Sequence, residues 1–138
     1  MAARPHEIPM EAFRSTIQAL QGRGLFIVLE EEGELRGHLI LQPMDLYSTR
    51  HVVWLTIVVH PGHTGRGYGR CLMEYAIDWA RKSKEVEKIE LYVRSGNTRA
   101  IKLYESFGFE IEGIHRDRIR LTDRYVDDIS MALFVREG

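Results

Sequence analysis

The segment from residue 58 to residue 70 holds the residue types best suited to binding a phosphorylated ligand. It leads from an apolar stretch into an amphipathic one, and its glycines are Gly62, Gly65, Gly67 and Gly69. Backbone without side chains can approach a bulky anion closely, and a helix start offers unpaired N–H groups at the positive end of the helix dipole. A first turn normally favours acids, yet His63, Arg66 and Arg70 flank this one and the first acid is Glu74. The segment therefore predicts an anion site.

The spacing of these residues excludes two common nucleotide-binding motifs. A Walker loop ends in Gly-Lys-Ser/Thr, but Gly67 is followed by Tyr68 and Gly69. A dinucleotide fingerprint needs a glycine where Arg70 stands and an acid that ends a second strand, whereas Glu90 falls inside its predicted strand. From the loop alone, a glycine-rich turn without a ligand also stays open.

The loop resembles the pyrophosphate loop of the GNAT N-acetyltransferases, Arg/Gln-x-x-Gly-x-Gly/Ala, which usually follows Val-x-Pro, here Val59-His60-Pro61. Thr64 stands where the family usually has Arg or Gln, so one side-chain contact is expected to be missing while the backbone contacts remain. The resemblance implies acetyl-CoA as co-substrate, with no metal. The residues it implies as binding the diphosphate are Thr64, Gly65, Arg66, Gly67, Tyr68, Gly69 and Arg70.

A second motif lies between Asn97 and Phe109. Periodicity alone places Ala100, Ile101 and Tyr104 on one helix face, which would make Tyr104 a core residue. The pattern also resembles the second GNAT motif, Asn-x-x-Ala-x-x-Leu-Tyr-x-x-x-Gly-Phe, at every position. That resemblance implies that Asn97 bonds the pantetheine arm or nearby backbone, and that the Tyr104 hydroxyl lies beside the thioester sulfur.

A tyrosine at that place suits the chemistry of acetyl transfer. Attack of an amine on a thioester expels a thiolate whose conjugate acid has a pKa of about 8.5, so a tyrosine of pKa about 10 can donate a proton or hydrogen bond to it. Backbone N–H groups of a splayed strand can stabilise the developing oxyanion. The resemblance implies the strand before the glycine loop for this role, around Ile57, Val58 and Val59.

The general base is less well defined by the sequence. Freeing a lysine-like amine at pH 7 costs roughly 4–5 kcal/mol, and freeing an α-amine about 1 kcal/mol. Relatives that acetylate protein N-termini carry a Leu-Glu-Val strand, but this chain has Leu91-Tyr92-Val93. Glu90 lies two residues before Tyr92 on the same face of the strand, and it is the candidate base, acting through a water molecule. The alternative, of at least equal weight, is that Glu90 is a solvated or salt-bridged surface acid. Cys71, in a first helical turn that can lower a thiol pKa, is the less favoured candidate for a covalent intermediate.

The C-terminal segment is rich in charge and resembles the tails of GNAT branches that acetylate ribosomal-protein N-termini, amino acids or small amines. Asp117, Asp127 and Asp128 are candidates for holding a cationic acceptor. A solvated hairpin turn or the rim of a homodimer explains these charges equally well.

Composition indicates one ordinary domain, residues 1–138. The chain is 44% hydrophobic and 28% charged, with a net charge of −1, which gives no reason to expect a nucleic-acid or membrane partner. A single cysteine excludes an internal disulfide and suits a reducing compartment. The chain shows no apolar run of transmembrane length and no signal peptide, so we expect a cytoplasmic protein.

Apolar periodicity and turn residues predict the order α-β-β-β-α-β-α-β-β. The predicted strands are Leu25–Glu30, Leu35–Gln42, His51–Val59, Lys88–Arg94, Phe109–Arg118 and Tyr125–Val135, and the predicted helices are 9–21, Gly67–Ser83 and Thr98–Phe107. The apolar run of His51–Val59 indicates a strand buried on both faces. This order predicts an α/β (mixed α+β) fold with helices on both faces of a mixed sheet. The resemblance adds a GNAT-like, mostly antiparallel sheet, without the strand that in the family precedes the first helix.

These observations predict an N-acetyltransferase that moves an acetyl group from acetyl-CoA to a primary amine by direct transfer through a ternary complex. An amino acid, a peptide N-terminus and a small amine are the acceptor classes. A non-catalytic acyl-CoA-binding module is the first alternative, and a nucleotide-binding regulatory domain is the second.

Overall fold

The computed structural model describes residues 15–21, 23–60 and 67–136, with side chains from residue 23 onward. The strands are β1 (Ser15–Gln21), β2 (Leu25–Glu31), β3 (Glu34–Pro43), β4 (Val52–Val59), β5 (Lys88–Arg94), β6 (Glu110–Arg120) and β7 (Tyr125–Phe134). The helices are α1 (Tyr68–Lys82) and α2 (Thr98–Ser106), and a 3₁₀ turn spans Tyr47–Thr49. From residue 25 on, each predicted strand and helix is confirmed to within one or two residues at its ends.

The strands form one sheet in the order β1-β2-β3-β4-β5-β7-β6. The β4–α1–β5 crossover joins two parallel neighbours, whereas every other pairing in the sheet is antiparallel. The predicted mixed, mostly antiparallel sheet is therefore confirmed. Neither described helix has the length and apolar character needed to cross a membrane.

The hairpin of β2 and β3 turns through two residues only. Glu31 pairs with Glu34, and the residues between them, Glu32 and Gly33, have φ angles of 56° and 81°. Two consecutive positive φ angles define the tight turn whose twist matches that of the flanking strands. The turn predicted at residues 31–34 is confirmed.

The helix predicted over residues 9–21 is wrong for its second half. Residues 15–21 form β1, in which each residue from Ser15 to Gln21 pairs antiparallel with β2. The spacing of Ile17 and Leu20 suits a helix, but the edge of β2 offers a row of backbone partners that a local pattern cannot reveal. Residues 9–14 lie outside the described part, as does any strand before them.

The hydrophobic core lies on one face of the sheet. Both described helices pack there, against strand residues that include Ile27, Leu39, Val53, Ile89 and Met131, all almost fully buried. On the second face Trp54 is 42% exposed and Val58 40% exposed. Within the described residues, the prediction that β4 is buried on both faces is therefore wrong. Neither described helix packs on the second face, so the predicted helix on that face could only come from residues outside the described part.

The parallel pair of strands at the centre of the sheet separates along its length. β4 and β5 pair only from Val52 opposite Lys88 to Trp54 opposite Glu90, although β4 runs on to Val59 and β5 to Arg94. Beyond Trp54, the edge of β4 that faces β5 has no strand partner in the described chain. This split leaves backbone polar groups available to a ligand.

Candidate active site

A pocket of about 400 Å³ lies where the split in the sheet meets the starts of the two helices. Its lining residues come from β4, from the start of α1 and from α2: Ile57, Val59, Gly67, Tyr68, Gly69, Arg70, Asn97, Arg99, Ala100, Leu103 and Tyr104. Both stretches singled out in the sequence, far apart in the chain, therefore contribute to one cavity.

The start of α1 presents backbone donors to this pocket. Gly67 precedes the helix with φ 85°, a left-handed conformation that glycine adopts without strain. The first bond of the helix runs from the Cys71 amide to the Gly67 carbonyl (3.0 Å), so the amides of Tyr68, Gly69 and Arg70 precede the helical ladder. With no acid in the first turn, this end of the helix favours an anion. Thr64, Gly65 and Arg66 lie outside the described residues.

The start of α2 faces the same cavity. Asn97 caps this helix, because its Oδ1 accepts a hydrogen bond from the Ala100 amide at 3.2 Å. The side chain that was expected to contact the pantetheine arm thus also fixes the local backbone. Arg99, Ala100 and Leu103 line the pocket as well, although the sequence did not single out Arg99 or Leu103. Their positions within the asparagine motif were the available signal.

Arg70 joins the two helices beside the pocket. Its Nη2 donates to Ser106 Oγ at 3.0 Å, and its guanidinium lies 4.9 Å from the centre of the Phe107 ring. The side chain is thus held by the end of α2, and its positive charge stays at the pocket wall next to the α1 amides. This arrangement adds charge to the anion-binding character of the helix start.

Tyr104 serves the core and the pocket together. It is 7% exposed, its ring centroid lies 5.9 Å from that of Phe109, and it lines the cavity together with Ile57 and Val59. Burial raises the pKa of its hydroxyl above the usual 10.0, because the charged phenolate is poorly solvated there. Tyr104 therefore stays protonated at neutral pH and retains a proton to donate.

The three candidate oxyanion residues do not share one environment. Ile57 and Val59 line the pocket, whereas the side chain of Val58 is exposed on the second face, as expected for alternation along a strand. All three lie in the part of β4 that has separated from β5. Their backbone, rather than their side chains, is what the split makes available.

Glu90 lies away from the pocket. It belongs to the second face of β5, where its Oε2 is 3.0 Å from Lys88 Nζ, and the same ammonium is 3.0 Å from Glu112 Oε1. Desolvation alone would lower the Lys88 pKa, but the hydrogen bonds to Glu90 and Glu112 outweigh it and raise the pKa. The structure therefore shows the salt-bridged surroundings that were the alternative for Glu90, and the carboxylate does not line the Tyr104 cavity.

Cys71 has the properties of a core thiol. It is buried, and its pKa rises to about 11 through desolvation and the nearby Glu74 carboxylate, which together outweigh the lowering effect of Arg70. The helix start was expected to lower this pKa, but burial dominates. A thiol with this pKa is protonated at pH 7 and is a poor nucleophile.

Two of the three candidate acids of the C-terminal hairpin, Asp127 and Asp128, are engaged in holding that hairpin. Asp127 Oδ1 accepts a hydrogen bond from the amide of Asp117 at 3.0 Å, and Asp117 has a φ of 54° within an irregular stretch of β6. Asp128 is 8% exposed and pairs with Arg118 at 3.7 Å.

Among the described residues, no group of three or more His, Cys, Asp and Glu side chains is arranged to hold a metal ion.

Comparison with known proteins identifies the family of this chain. Residues 2–109 match the acetyltransferase (GNAT) family, which covers well over half of the chain. This match places the chain in a family of acetyltransferases. This chain belongs to the GNAT family.

Two curated relatives and one solved structure illustrate the range of that family. The chain is 35% identical over 131 residues to the [ribosomal protein bS18]-alanine N-acetyltransferase of Escherichia coli, covering 94% of this chain and 84% of the relative. It is 34% identical over 101 residues to the L-amino acid N-acetyltransferase AaaT of Escherichia coli, covering 73% of this chain but only 62% of the relative. The structure of yncA from Salmonella typhimurium, solved with its cofactor acetyl-CoA, superimposes with a TM-score of 0.77 at 28% identity, covering 83% of this chain and 66% of that one.

Proposed function

We propose that this protein transfers an acetyl group from acetyl-CoA directly to a primary amine. The observation that carries the proposal is the convergence of two helix starts and the split in the sheet on one pocket that contains Tyr104. The similar yncA structure with acetyl-CoA supports the choice of co-substrate.

The proposed binding mode follows from the donors around the pocket. The amides of Tyr68, Gly69 and Arg70 take the diphosphate at the positive end of α1, with the amides of residues 64–66 completing the loop. The pantetheine arm then runs past Asn97 to the split, where the thioester carbonyl meets the backbone of β4. Holding both reactants in that split removes much of the entropic cost of their encounter.

The chemistry needs one proton donor and one proton acceptor. Tyr104, whose raised pKa keeps it protonated, donates to the thiolate as it leaves. Glu90, on the second face of β5, receives the amine proton through a water molecule. The ion pair with Lys88 holds the Glu90 carboxylate in place. Burial raises the pKa of the Cys71 thiol to about 11, which favours direct transfer over an acetyl-cysteine intermediate.

The proposed cellular setting is the cytoplasm, whose reducing conditions suit a chain with one buried thiol. The names of two relatives give an L-amino acid and an alanine of ribosomal protein bS18 as their acceptors. Both fit a site that receives its amine through the split.

The test measures free thiol released from acetyl-CoA in the presence of a panel of amines. Release that depends on the amine supports the enzyme, whereas tight coenzyme A binding without turnover on any amine supports a binding module. Tyr104→Phe is expected to lower kcat roughly a hundredfold, the effect of losing a general acid, with little change in affinity for acetyl-CoA. Tyr125→Phe, which alters an exposed tyrosine on β7, is the matched control. An unchanged kcat in Tyr104→Phe removes Tyr104 from the mechanism.

A further inference from the structure

A group of three aromatic side chains, Trp54, Tyr92 and His115, lies where the split opens on the second face of the sheet. Tyr92 is the next second-face residue of β5 after Glu90, the last residue that pairs with β4. Its ring makes edge contacts with Trp54 on one side and His115 on the other, with ring centroids 5.6 Å apart in each case. Trp54 and Tyr92 are 42% and 39% exposed, so this group can receive an apolar side chain.

Arg118 lies on this group with its guanidinium 4.8 Å from the centre of the Tyr92 ring. Its Nε is 3.7 Å from Oδ2 of Asp128, a carboxylate whose side chain is only 11% exposed, whereas the Arg118 side chain is 49% exposed. The buried Asp128 carboxylate and the Tyr92 ring thus fix the orientation of the Arg118 guanidinium. Within the described part of the chain, the two terminal nitrogens of Arg118 are left for a ligand.

A planar guanidinium held in this way is suited to a carboxylate, which its parallel N–H groups bind in a bidentate manner. We propose that Arg118, positioned by Tyr92 and Asp128, binds the α-carboxylate of a free amino acid whose amine enters the split. This inference rests on the proposed function, because it assigns the acceptor of that same site. The exposed rings of Trp54 and Tyr92 then favour an amino acid with an apolar side chain.

The charges nearby argue against a polycationic acceptor. Glu90 is paired with Lys88, Asp127 accepts the amide of Asp117, and Asp128 is paired with Arg118. Each of these acids therefore has a protein partner, whereas Arg118 keeps donors that face solvent. An acceptor that carries a negative group beside its amine fits this balance better than one that carries several positive charges.

The experiment compares leucine with leucinamide, which keeps the side chain and the amine but lacks the carboxylate. Arg118→Met keeps the aliphatic stem and removes the guanidinium, and Arg118→Lys keeps the charge without the planar fork. The matched control is Arg120→Met, which alters another exposed arginine of β6. For each acceptor, kcat/KM of the variant is divided by that of the wild type, so that the different basicities of the two amines cancel.

We expect Arg118→Met to lower kcat/KM for leucine roughly 10- to 100-fold, the effect of losing a bidentate charged contact, and to change that for leucinamide less than about threefold. Arg118→Lys should recover only part of the loss, and Arg120→Met should match the wild type. Asp128→Asn, which tests positioning, should raise KM for leucine with little change in kcat. Equal losses on both acceptors in Arg118→Met would overturn the inference.

Calorimetry of leucine binding to the protein saturated with coenzyme A separates this inference from the proposed function. Leucine binding that Arg118→Met weakens supports the carboxylate site even if no amine is acetylated, in which case the proposed function alone fails. Acetylation of simple amines without leucine binding leaves the proposed function in place and overturns the Arg118 assignment.

Discussion

The hydroxyl of Tyr68 donates a hydrogen bond to the carboxylate of Glu31, which fastens the first residue of α1 to the end of β2. Tyr68 is 2% exposed, and Glu31 also lies 3.4 Å from the buried Arg36. Arg36 Nη1 in turn lies 2.8 Å from Oε1 of Glu34, two residues earlier on β3. The helix start that faces the pocket is thereby held by the β2–β3 hairpin.

Tyr68→Phe is expected to lower the free energy of unfolding by about 1–3 kcal/mol, since the partly buried Glu31 carboxylate loses one of its donors. Affinity for acetyl-CoA should fall as well, because the α1 start is less firmly held. Thermal unfolding and calorimetric titration measure the two effects. Tyr125→Phe, on the exposed part of β7, is the control, and equal stability of the two variants would contradict the fastening role.

Gly69→Leu is expected to weaken acetyl-CoA binding, whereas Gly69→Ala should not. A Cβ at residue 69 would meet Leu103 and Val59 only at 3.5 and 3.7 Å, ordinary contact distances, so a methyl group is accepted, in line with the Gly/Ala alternative of the loop motif. A larger side chain would occupy pocket space, and overpacking of about 1–3 kcal/mol corresponds to a loss of roughly tenfold or more in affinity. Gly96→Leu, at a site with open space, should leave affinity unchanged. Normal binding by Gly69→Leu would indicate that the cofactor binds elsewhere.

Cys71 should be inert towards iodoacetamide at pH 7.5, because burial and Glu74 raise its pKa to about 11. Alkylation should become rapid once the protein is unfolded in urea, which serves as the control for reagent activity. Cys71→Ala should keep kcat within about threefold of the wild type if transfer is direct. Abolished turnover in a folded Cys71→Ala protein would instead indicate a covalent intermediate.

Glu90 and Glu112 provide a matched pair for testing the base, since each lies 3.0 Å from Lys88 Nζ. Glu90→Gln is expected to lower kcat/KM for the amine roughly a hundredfold or more, the usual effect of losing a general base. Glu112→Gln removes the other partner of Lys88 and should have little effect. Similar small effects in the two variants would make Glu90 a structural acid only.

The buried hydroxyl of Tyr104 predicts that the free energy of unfolding declines at alkaline pH. Its pKa is raised in the folded protein, so the unfolded chain releases this proton first and the free energy of unfolding falls as pH rises above about 10. Below that pH the phenol stays protonated and should impose no decline on kcat. Urea unfolding at pH 9 and above pH 10 should show a smaller decline in Tyr104→Phe than in the wild type; equal declines would contradict the buried environment.

Short-range patterns were sufficient for much of the fold. Alternation of Ile89, Leu91 and Val93 identified β5, and the Glu32-Gly33 turn identified the hairpin, because both signals lie within a few residues. The two motifs of the pocket could be found in the same way. Their meeting in one cavity was implied by the family resemblance rather than by periodicity.

Features that depend on distant partners could not be predicted from local sequence. β1 forms on the edge of β2, and the open second face around Trp54 depends on which elements pack against β4. The pairing of the buried Asp128 with the half-exposed Arg118 arises only when β6 and β7 align with an irregularity between His115 and Ile119. Such contacts depend on the register between strands, which a single-sequence pattern does not contain.

A crystal structure with coenzyme A tests the central claim most directly. We expect the diphosphate to lie against the amides of residues 67–70, with the sulfur beside the Tyr104 hydroxyl at the mouth of the split. A cofactor bound on another surface, or a pocket in which Arg70 and Leu103 close over the α1 amides and exclude it, would contradict the account.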